Sequence, residues 1–149
     1  MDAVMRGFAL LEILIVVAIV AIASSALVVR AWPDGGASAE HEARRLAALL
    51  ESAHAEARAS GRAIAWSPEG NGYAFLRRTE GGTWERFPED TPWRSRQLEA
   101  GVALRGERAV LLPYGLAGAF EAAIAGGSTR IILRSELLGR VSLERIHAR

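Results

Sequence analysis

The chain has 149 residues, 18 basic against 17 acidic side chains for a formal charge of +1, and no cysteine. That balance argues against a bulk polyanion as partner, and the absence of thiols excludes disulfide staples and thiolate metal ligands. A short polar leader, 1–7, is followed by an apolar run from Phe8 to Val29, long enough to span a bilayer. One carboxylate, Glu12, stands just inside its edge. Glutamate near the middle of a membrane helix costs on the order of 2.5–3.5 kcal/mol, and less near the boundary. Such a residue is a functional candidate that needs a neutralising partner. The Gly7-Phe8 junction supplies one: a cut there makes Phe8 the N-terminus, with a free amine four residues before Glu12 and on the same helical face. That amine is mostly cationic near neutrality, and glycine before the cut lets a protease approach the backbone.

Other readings of the run fit less well. Ala21-Ile22-Ala23 matches a secretory cleavage site, but the apolar run continues past it, and Glu12 interrupts a core that normally carries no charge. A plain signal anchor leaves Glu12 and the Gly-Phe junction unexplained. The length excludes a buried core helix.

After the span, Trp32-Pro33-Asp34-Gly35-Gly36 predicts a break or hinge over 32–37, with Trp32 placed as an interfacial anchor. Ser38 is then the expected N-cap of an amphipathic helix with Glu40 and Glu42 in its first turn. Ala43, Leu46, Leu50, Ala53 and Ala57 form its apolar stripe, Arg44, Arg45, Glu51, Glu56 and Arg58 its polar face, and Ser60-Gly61 its end. From Arg62 the period changes to two. Ile64 and Trp66 alternate, Asn71-Gly72 marks a hairpin turn, and Tyr73 and Phe75 follow. Pro88–Arg96 reads as a loop or a short edge segment. Apolar strands follow at 102–104, 110–112, 120–124, 131–133 and 141–143. The expected class is α+β: an N-terminal transmembrane helix, then an amphipathic helix packed on an antiparallel sheet.

No catalytic constellation is present. His41, His54 and His147 read as solvent-facing, the serines lack a nucleophile-elbow context, and no phosphate-binding or dinucleotide fingerprint appears. No cofactor or metal is implied. The chain reads as a substrate of an enzyme, not an enzyme.

Gly7-Phe8-Ala9-Leu10-Leu11-Glu12-Ile13-Leu14-Ile15 resembles the class III signal of type IV pilins and pseudopilins. The soluble part carries Gly61-Arg62, Gly72-Tyr73, Gly81-Gly82-Thr83-Trp84, Leu98–Val102, Leu111–Gly115 and Leu138-Gly139-Arg140-Val141. That order is similar to the H-type minor pseudopilin of type II secretion, a domain shared with minor pilins of the FimT and FimU type. The resemblance implies cleavage between Gly7 and Phe8 by a prepilin peptidase, N-methylation of Phe8, and Glu12 as the carboxylate of subunit assembly. It divides the chain into a leader (1–7), a transmembrane and assembly helix (8–31), the hinge (32–37) and a periplasmic pilin-like α+β domain (38–149). It also implies a single-pass protein of the bacterial inner membrane. The implied partners are membrane lipid, the inner-membrane assembly platform, and other major and minor pseudopilins.

Two functions follow. One is a structural subunit of the type II secretion pseudopilus, acting in export of folded proteins across the outer membrane. The alternative is a minor type IV pilin in pilus assembly or DNA uptake. Its support is a basic C-terminus, Arg130, Arg134, Arg140, Arg145 and Arg149, against which stand the near-neutral charge and the alternation that spreads these residues over a strand's solvent face.

Overall fold

The apolar stripe read from the sequence builds one long helix, α1 (Gly35–Ser60), whose Ala43, Leu46, Leu50, Ala53 and Ala57 are all buried. The computed structural model describes residues 14–18, 35–116, 119–135 and 140–147. The chain divides into two units, Met1–Pro33 and Asp34–Arg149. In the first, residues 14–18 are helical, and Leu14, Ile15, Val16 and Val17 are exposed. The rest of the predicted transmembrane segment lies outside the described residues, among which no helix is long and apolar enough to cross a membrane.

Helix α1 starts three residues before the expected cap at Ser38, so Glu40 and Glu42 fall beyond its first turn. The reason is a close backbone approach. A Cβ on Gly126 would stand 2.0 Å from the carbonyl oxygen of Gly35, so only glycine lets the helix start lie against this strand end. The glycines read as punctuation are a packing contact. At the other end Gly61 takes φ 68°, the expected left-handed cap.

Ten strands follow: β1 (Ile64–Glu69), β2 (Gly72–Arg78), β3 (Trp84–Arg86), β4 (Arg96–Gln97), β5 (Val102–Gly106), β6 (Ala109–Leu112), β7 (Gly115–Leu116), β8 (Phe120–Gly126), β9 (Thr129–Ser135) and β10 (Val141–His147). All recorded pairings are antiparallel, as expected, but they form two sheets where the sequence suggested one. The first has the order β3-β2-β1-β6-β7 with β4 also on β2, and the second β10-β9-β8-β5. The chain changes sheet at Glu107-Arg108: β5 pairs with β8, whereas β6 pairs with β1. The β1–β2 turn is Gly70-Asn71, one residue earlier than expected. Gly70 takes φ 54° at the first turn position, the place glycine occupies in a type II′ hairpin. Gly72 is a strand residue whose Cβ would meet the Arg96 carbonyl oxygen at 2.0 Å.

Helix α1 packs on β8, β9 and β10, and along its other flank on β6 and β1. Trp66 joins the two sheets. It is fully buried, with its ring edge-on to Phe120 of β8 at 5.2 Å and its six-membered ring against Gly106 of β5.

Candidate interaction surface

The predicted processing and assembly residues Gly7, Phe8 and Glu12 lie outside the described residues. What the structure presents is the surface and internal wiring of the domain. Of the histidines, His41 is exposed and shares a 3.2 Å contact with Arg45. His54 is buried, contrary to the solvent-facing reading, and its Nε2 has no hydrogen-bond partner. The signal was available: position 54 stands four after Leu50 and so belongs to the same apolar stripe.

Beside the stripe, Glu42 is the hub of a polar cluster. Tyr73 of β2 donates its hydroxyl to Glu42 at 2.7 Å, and Arg45 and Arg96 approach the same carboxylate at 3.3 and 3.9 Å. Burial, then the hydrogen bond to Glu42, pushes the Tyr73 hydroxyl far above its ordinary range. It therefore remains a donor throughout the physiological range and ties helix to sheet.

The second sheet carries the arginines that suggested a nucleic-acid partner. Arg134 donates to Glu121 at 2.8 Å and to Glu144 at 2.7 Å, a chain of charge across β8, β9 and β10. The Glu121 hydrogen bond and charge, then Glu144, raise the Arg134 guanidinium above its ordinary value. By register, Arg130 and Arg134 stand on the outer face of β9, whereas Arg145 pairs with Ile131 on the helix side and forms an ion pair with Glu40 of α1. Arg140 is exposed, and Arg149 lies outside the described residues. The set is thus split between two faces and partly neutralised. A second helix carboxylate, Glu51, accepts the backbone N–H of Val141 at 3.0 Å. Glu40 and Glu51 therefore hold the two ends of β10. Neither role is legible in the sequence, where Glu40 reads as a first-turn residue of the helix and Glu51 as part of its polar face.

The model of the family described as GspH, type II transport protein, matches residues 42–136, more than half of the chain. The chain belongs to the GspH family. Comparison with curated proteins gives no match. Among solved structures, the fold is similar to that of the minor pseudopilin EpsH from the type 2 secretion system of Vibrio cholerae, with a TM-score of 0.58 and 19% identity. The alignment covers 74% of this chain and 96% of that one. The family match spans most of α1, where the stripe and the Glu42 cluster sit, and ends just after β9.

Proposed function

We propose that the chain acts as a minor pseudopilin, a structural subunit of the pseudopilus of type II secretion, with its N-terminal segment in the bacterial inner membrane and its domain in the periplasm. Membership in the GspH family carries the reading, and the Gly7-Phe8 and Glu12 pattern supports it. Prepilin peptidase cuts after Gly7, Phe8 is N-methylated, and Glu12 meets the N-terminal amine of an adjacent subunit as the helix leaves the membrane. The pair is strong in low dielectric, but desolvation offsets much of the gain. Glu12 therefore sets register and order of assembly more than filament stability. The assembly platform and the other pseudopilins are the partners, and the chain contributes packing, not chemistry. The pairing of Arg134 and Arg145 with carboxylates argues against the DNA-uptake alternative, since paired guanidiniums release fewer counterions on a phosphate backbone.

The test is Glu12→Ala in the native host. The variant is expected to be processed and membrane-inserted, yet absent from pull-downs of the pseudopilus; normal incorporation overturns the mechanism. In parallel, a gel shift with the Asp34–Arg149 unit is expected to show no salt-sensitive DNA binding. Tight binding that weakens steeply with salt would favour the pilus alternative.

A further inference from the structure

The second sheet ends on β10, and no described strand pairs with its far side. The direction of its backbone groups follows from one bond. The Val141 N–H donates to Glu51, so it is turned away from β9. In an antiparallel pair, residues turned to the partner alternate with residues turned away. Ser142, Glu144 and Ile146 therefore bond to β9, while Leu143 and Arg145 direct their N–H and C=O groups to the open side. The Ser142 hydroxyl, which reaches the Arg134 carbonyl at 3.2 Å, agrees with this phase.

Edge strands are commonly blunted by proline, lysine or a bulge. β10 has no proline or lysine, and its register with β9 runs unbroken from Val141↔Ser135 to His147↔Thr129. Its charged side chains are already engaged, Glu144 with Arg134 and Arg145 with Glu40. The Ser142 hydroxyl is held by the Arg134 carbonyl, and the other exposed side chains described on the strand are apolar: Leu143, 43% exposed, and Ile146, 40% exposed, on opposite faces. Glu51 closes the N-terminal end of the edge, so the free stretch is centred on Leu143 and Arg145.

We infer that the open side of β10 is a docking edge for an extended segment of another pseudopilin, which adds a strand to the second sheet. Main-chain hydrogen bonds to Leu143 and Arg145 supply the attachment, and apolar contacts with Leu143 and Ile146 set its register. A segment of low charge fits best, because the local carboxylates and guanidiniums are satisfied within the chain. A second copy of this chain fits less well. Two-fold pairing centred on Glu144 or Arg145 sets like charges opposite each other, and any two-fold contact closes into a dimer where a filament needs a head-to-tail one. The inference rests on the pseudopilin reading above.

Proline at 143 removes one open-side donor and no bond to β9, the setting in which strands accept it. Full-length Leu143→Pro is expected to be processed and to resist proteolysis like the parent, while its co-purification with the other pseudopilins falls about tenfold or more. Unchanged co-purification overturns the proposal. A photo-crosslinking residue placed at 143, and separately at 16, in the native host keeps the test decisive if the proline variant misfolds. Adducts from 143 to one segment of another pseudopilin support the edge. Adducts from 143 to a second copy overturn it, and so does silence at 143 while 16 still links to pseudopilins; either result leaves the pseudopilin reading standing. Silence toward every pseudopilin from both positions overturns that reading itself.

Discussion

The two sheets use their residues differently. In the first, Ile64, Ala65 and Trp66 of β1 and Tyr73, Ala74 and Phe75 of β2 are buried in succession, so both faces are covered at the centre. One face meets the helix and the second sheet. On the other, alanines lie low among longer side chains such as Arg86, which pairs with Glu69 at 2.8 Å. In the second sheet, β8 alternates: Phe120, Ala122 and Ile124 are buried, while Glu121 is exposed and Ala123 and Ala125 are half-buried. Its outer face carries a row of Arg105, Ala123, Ile132 and Glu144. The first sheet is committed to the core; the second leaves its outer face and the far side of β10 uncovered among the described residues.

The largest expected effect tests that division directly. Trp66→Ala removes the ring that joins the sheets and should cost about 3–5 kcal/mol, measured by urea unfolding of the Asp34–Arg149 unit. Ile132→Ala, on the outer face of the second sheet, should cost less than about 1 kcal/mol by the same measurement. Comparable losses at the two positions would mean that the second sheet's outer face is also core.

A smaller effect is expected at the Glu42 cluster. Tyr73→Phe keeps the packing and removes one hydrogen bond to a partly buried carboxylate, for a loss of about 1–2 kcal/mol. The pH dependence has a definite sign. Tyr73 binds its proton more tightly folded than unfolded, so its contribution is complete below the usual tyrosine value of about 10 and is lost as pH rises from there toward the raised folded value. Stability of the parent should therefore fall above about pH 10, and Tyr73→Phe should flatten that fall. An unchanged alkaline slope would place its cause elsewhere.

The same contrast explains what the sequence could reveal. Helix α1 was legible because its stripe repeats at helical spacing over several turns, and β8 and β9 were legible because half-buried strands alternate. The division into two sheets was not legible, since nothing in Glu107-Arg108 separates a hairpin from a change of sheet. The early helix start was hidden because Gly35 meets Gly126, a residue distant in sequence. His54 was missed for a simpler reason: residue type outweighed its place on the stripe. The clips from Glu40 and Glu51 to β10 join positions far apart in the chain, and local pattern carries no trace of such pairs.

The smallest expected effect is at Arg134. It bridges Glu121 and Glu144, and all three side chains are at least half exposed. Solvent screens such pairs and side-chain entropy opposes them, so Arg134→Ala should leave the melting temperature of the domain unchanged within error at physiological salt. The substitution matters for charge, not for stability. It leaves Glu121 and Glu144 without their shared cation and makes the outer face of the second sheet more acidic. If that face contacts a neighbouring subunit, Arg134→Ala should lower co-purification with the other pseudopilins, and the effect should grow as salt is reduced. A melting temperature lowered as far as that of Tyr73→Phe would instead make the ion-pair chain a structural element, and the contrast between a committed sheet and an available one would fail at its outer face.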